Sequence, residues 1–108
     1  MTLTRDHAES YKERAAIDPE FRKGMLEESV ALFLAGEMDV AKIMLRHYIN
    51  SAIGFEGLSA LTGISVESLS QMLSADGNPA MSDFSNILGK LQKAEGVAAE
   101  LSLNPVAA

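Results

Sequence analysis

A chain of 108 residues, 47% hydrophobic and 22% charged, is sized for one globular domain with a modest core, which argues against two substantial domains and against disorder beyond the tips. The absence of cysteine excludes disulfides and thiolate zinc sites. No apolar run approaches the roughly 18 residues of a membrane span, and Met1 to Glu13 has no signal-peptide core, so a cytoplasmic protein is expected.

Residues 4–16 read as a first helix, with Thr4 to cap it, Asp6 and Glu9 in its first turn and Arg14 in its last. Its apolar stripe is thin: Ala8, Tyr11 and Ala15. Asp18-Pro19-Glu20 is a firmer start, because it supplies a carboxylate cap, a proline where no amide hydrogen is needed and an acid at the positive helix end. The helix it opens, 19–35, has apolar positions at Phe21, Met25, Val30, Leu32 and Phe33, wet positions at Glu27 and Glu28, and a stop at Gly36.

A helix over 39–53 follows. Val40, Ile43, Met44, Leu45, Tyr48, Ile49, Ala52 and Ile53 cover most of its circumference, which predicts a central element with one wet edge at Lys42, Arg46, His47 and Asn50. Residues 55–62 form a short helix with Phe55, Leu58 and Leu61 inward. Gly63 permits a turn with positive φ, and Ser65 caps a further helix over 66–74 whose Leu69 and Met72, three apart, face the one before. Asp76-Gly77-Asn78-Pro79 is a loop. The next helix, 81–94, carries Phe84, Ile87, Leu88 and Leu91 as a clean stripe and Lys90 and Lys93 toward its negative end. One more turn over Val97 to Leu101 would leave 104–108 to fray. The expectation is a compact all-α protein of five or six helices without strands, sharing a core of Leu45, Ile49, Leu58, Ile64, Leu69, Met72, Phe84, Ile87 and Leu88.

From Gly54 to Lys93 the order is helix, glycine turn, helix, exposed loop, supporting helix, the layout of a helix-turn-helix DNA reader. Gly63-Ile64-Ser65, Leu69-Ser70-Gln71-Met72 and Asn78-Pro79, with the small residue Ser59 four before the turn glycine, resemble the phage-repressor type of helix-turn-helix. The pattern is particularly similar to addiction-module antidote (antitoxin) proteins and related small regulators. The resemblance implies a lambda-repressor-like DNA-binding domain over 39–96, an N-terminal helical extension over 1–38 and a short, partly frayed segment over 97–108. It also implies operator binding as a homodimer, since one short reading helix makes too few contacts alone. Members often open the positioning helix with a polar residue and place basic residues early in the reading helix and after Asn-Pro; here those positions are Phe55, Val66, Glu67 and Ala80.

If the second helix enters a major groove, its outward residues are Ser65, Val66, Glu67, Ser68, Ser70, Gln71 and Ser74. Gln71 suits a bidentate pair with adenine, Val66 a thymine methyl, and Glu67 a cytosine amino group; Ser65, Ser68 and Ser70 suit phosphate. The same residues also describe a solvated, serine-rich helix face. Charge favours that plainer reading. Nine Lys and Arg against fifteen Asp and Glu give a net charge of −6, and no Lys or Arg occurs from His47 to Gly89. A second function class therefore stands beside the regulator: a protein-interaction module, such as an antitoxin binding a small basic toxin, with little DNA binding. His7 and His47 have no companions at metal-ligand spacing, no glycine-rich phosphate loop is present, and the serines of 65–74 have no histidine nearby in sequence. Neither enzyme activity, metal nor cofactor is expected.

Overall fold

A computed structural model describes residues 18–107, so the helix expected over 4–16 lies outside the described residues. Those residues form five helices and no strand: α1 Pro19–Leu34, α2 Met38–Ser51, α3 Gly54–Thr62, α4 Val66–Met72 and α5 Met81–Glu95. The all-α expectation holds. Among them no helix is long and apolar enough to cross a membrane.

The start of α1 follows its sequence signal closely. Asp18 Oδ1 accepts from the amides of Glu20 and Phe21 at 3.1 and 3.2 Å, and Pro19 occupies the first helical position. α1 and α2 are joined by three residues and share the most extensive helix–helix contact in the fold. Met25 and Leu26 of α1 belong to the same core as Leu45, Tyr48 and Ile49 of α2, Leu58 of α3, Leu69 of α4, Leu73, and Phe84, Ile87 and Leu91 of α5. Burying each such side chain is worth about 1.5–3 kcal/mol.

Several expectations are corrected. Tyr48, Leu73 and Leu91 are fully buried members of the core, whereas Ile64, Met72 and Leu88 only pack against its edge. Phe33 stays 39% exposed although its ring lies 4.8 Å from that of Phe84, and Leu61 is exposed rather than inward. The face of α2 is also reversed in part. Val40 and Ile43 are each 46% exposed, and Lys42, expected on the wet edge, is buried. The 3.6-residue period explains the exchange: Lys42 stands three before Leu45 and seven before Ile49 on the inward stripe, while Val40 and Ile43 share a stripe with exposed His47 and Asn50.

Beyond α5 the expected extra turn does not form. Gly96, at φ 74°, ends the helix; the amide of Val97 donates to the carbonyl of Gln92, and that of Ala99 to Gln92 Oε1 at 2.8 Å. With Gln92 holding both amides, the tail leaves the helix axis, and Leu101 and Leu103 are exposed.

Candidate nucleic-acid interface

Gly63 has φ 77° and ψ 8°, the left-handed conformation expected of it, and its amide donates to the carbonyl of Ser59 at 2.9 Å. A side chain there meets no neighbour, so what the position selects against is backbone strain and not crowding. Thr62 Oγ1 donates to the carbonyl of Leu58 and accepts from the amide of Ile64, and Asn86 Nδ2 of α5 donates to the carbonyl of Thr62 at 3.4 Å. The turn between α3 and α4 is thus closed locally and tied to the supporting helix.

α4 has only seven residues, two fewer at its end than expected, and a helix of that length has no independent stability. It is held by Leu69 and Leu73, both 0% exposed, and by its cap. Ser65 Oγ accepts from the amide of Ser68 at 3.2 Å and lies 3.0 Å from the Ser68 hydroxyl. Directly after the helix, the Ser74 hydroxyl donates to the carbonyl of Gln71 at 2.7 Å. Two internal leucines and two serine contacts therefore fix which face looks outward.

Of the seven candidate residues, Ser65, Glu67, Ser68, Ser70 and Gln71 are exposed, and Val66 and Ser74 are half-buried. The fold places them along α4 and at its two ends, with Ser65 as the N-terminal cap and Ser74 just past the helix. It does not leave them equivalent: Ser65 and Ser68 engage each other, and Ser74 is turned onto the helix end. Glu67, Ser70 and Gln71 have no side-chain hydrogen bond among the described residues, so their polar groups face water. Glu56 and Asp76 are also exposed, which adds negative charge to the neighbourhood of the same helix pair.

No family model, curated protein or solved structure matches the chain.

The sequence reading missed two polar constellations. Lys42, 4% exposed, sends Nζ to the carbonyl oxygens of Gly77 at 2.7 Å and Ala75 at 3.2 Å, in the loop that follows α4. Arg22 of α1 forks onto Glu95 of α5, with Nε 3.0 and 3.2 Å from the two carboxylate oxygens and a second guanidinium nitrogen 3.0 Å from Oε2. Tyr48 Oη of α2 donates to the same carboxylate at 2.7 Å. The Arg22 hydrogen bonds hold the Glu95 carboxyl below its ordinary range against the opposing effect of burial, and Tyr48 adds to the lowering. Glu95 in turn raises the Arg22 guanidinium. Burial, then the bond to Glu95, pushes the Tyr48 phenol well up. The missed signal was again periodicity: Glu95 continues the stripe Phe84, Ile87, Leu91, and a carboxylate on an inward stripe needs a partner.

His47 is exposed and His7 lies outside the described residues. Among the described residues no group of three His, Asp or Glu is placed to hold a metal ion.

Proposed function

We propose that this chain is a sequence-specific DNA-binding transcriptional regulator, lambda-repressor-like and antitoxin-like, that binds an operator as a homodimer and represses it. One observation carries the reading: α3 and α4 are joined through a left-handed Gly63, both anchored by leucines with no exposure, and the far side of α4 presents Glu67, Ser70 and Gln71 to solvent without internal partners. A short, rigidly seated helix with an uncommitted polar face is what a major groove admits. Gln71 would read an adenine edge, Val66 a thymine methyl, and Ser65, Ser68 and Ser70 would meet phosphate. Exposed Leu101 and Leu103 supply apolar surface for pairing two copies. The role is recognition, without catalysis.

The scarcity of cations sets the expected energetics. Two to four phosphates neutralised per half-site give a slope of log K on log salt of about −2 to −4, shallow for a regulator. Duplex from upstream of the chain's own gene, titrated beside a scrambled duplex at about 50 and about 200 mM salt, is expected to show preference for the first and that slope. Equal binding of both, or no binding at the lower salt, contradicts the reading.

A second reading has its own observation. Lys42 is spent inside the fold, so an acidic surface has one cation fewer to offer phosphate. On that reading the protein binds a small basic partner, and failure of the titration selects it.

A further inference from the structure

Lys42 is a buried charge with an unusual set of partners. Its side chain is carried by α2, yet its ammonium ends in the loop that leaves α4, 33 and 35 residues further along the chain. No carboxylate pairs with it among the described residues; the ion pairs there are Arg22 with Glu95 and Lys23 with Glu20. A buried ammonium needs acceptors for its hydrogens, and here two backbone carbonyls beyond the negative end of α4 provide them. The loop itself has no slack. Gly77 is buried, and a Cβ at this position would overlap the carbonyl oxygens of Gln71 and Met72, so the loop lies hard against the last turn of α4. The Gly77 amide donates to the carbonyl of Ser74 at 3.0 Å, and the Ser74 hydroxyl to that of Gln71, linking loop and helix end in one chain of bonds.

We infer that Lys42 is a positioning residue: it clamps the Ala75–Gly77 loop to α2 and thereby sets the orientation of the α4 face that carries Gln71. An uncharged side chain would fill the space but leave the carbonyls of Ala75 and Gly77 without their donor. The C-terminal end of α4 then loses its tether to α2, while Leu69 and Leu73 still seat the helix on the core. The inference rests on the regulator reading only for its consequence, the orientation of Gln71 toward a base; the clamp stands without it.

Nuclear magnetic resonance on the full chain tests both parts. The Lys42 ammonium nitrogen should give a slowly exchanging signal with couplings across hydrogen bonds to the carbonyl carbons of Ala75 and Gly77, unlike exposed Lys93. A Lys42 signal that exchanges with water as fast as that of Lys93 overturns the clamp, and needs no variant. In Lys42→Met, the Gly77 amide should exchange about tenfold faster while core methyl signals of Leu69 and Ile87 stay in place. Preference for the upstream duplex over the scrambled one should fall by about tenfold, with partial recovery in Lys42→Arg, which keeps a donor. Unchanged Gly77 exchange in a folded Lys42→Met protein overturns the proposal. If wild type selects no duplex while the ammonium signature is present, the regulator reading fails and the clamp survives.

Discussion

Polar side chains do two different jobs in the two halves of this molecule. Between α1, α2 and α5, Arg22, Tyr48 and Glu95 meet across 47 and 73 residues of chain, and Lys42 reaches 33 and 35 residues to the loop after α4. On α4 and its flanks, hydrogen bonds of the side chains span three residues, Ser65 with Ser68 and Ser74 with Gln71. The first group is buried or nearly so, and it fixes how helices sit on one another. The second satisfies only its own helix and leaves Glu67, Ser70 and Gln71 to water. The comparison teaches that this acidic chain commits two of its nine cations, Arg22 and Lys42, to holding the frame, while the outer face of α4 offers a carboxylate, a hydroxyl and a carboxamide.

Substitutions separate the two regions by the size of their effect. Leu69→Ala should be the most damaging, because it removes the internal anchor on which the outer face of α4 depends; a loss of about 2–5 kcal/mol in denaturant unfolding is expected. A smaller loss would mean that α4 is held by something other than its leucines. Glu95→Gln should cost about 1–3 kcal/mol, moderated by the 20% exposure of the Arg22 side chain and its access to water.

The same carboxylate gives the frame a pH signature. Because the folded Glu95 pKa is lowered, its contribution is complete above the ordinary carboxylate range and disappears as pH falls through and below that range. Because the folded Tyr48 pKa is raised, the neutral phenol's contribution is complete below about pH 10 and is lost as pH climbs beyond it. Unfolding measured across pH should therefore lose stability on both flanks, and Glu95→Gln should flatten the acid flank. An unaltered acid flank would remove Glu95 from the account.

Gly63→Val is expected to cost about 1–2 kcal/mol through left-handed strain alone, since no neighbour crowds the position. A larger loss would point to a collision that the turn does not contain. Smallest for the fold is Gln71→Ala, within about 0.5 kcal/mol in unfolding. On the regulator reading it nevertheless costs about 1–3 kcal/mol in binding and relaxes preference at one base pair.

Elements were legible in the sequence wherever local chemistry decides. The Asp18-Pro19 start, the left-handed Gly63 and the Ser65 cap are each settled by a few neighbouring residues. Outward placement of Glu67, Ser70 and Gln71 followed from the inward pair Leu69 and Met72, although Leu73, one position on, took the deeper place. What was not legible depends on partners distant in the chain. Lys42 looked like a solvated edge because its residue type outweighed its stripe, and Glu95 could not announce Arg22 or Tyr48 from across the fold. The tail beyond Gly96 had helix-compatible residues, and one glutamine, Gln92, took it elsewhere.

On the regulator reading the outer face of α4, and not another surface, meets DNA. Amide shifts recorded while the upstream duplex is added to the isotope-labelled chain test it most directly. The account predicts the largest changes at Ser65 to Gln71, with those of α1 nearly unmoved. Changes centred on α1 or on the segment after Gly96, or a spectrum that stays the same at saturating duplex, would contradict it.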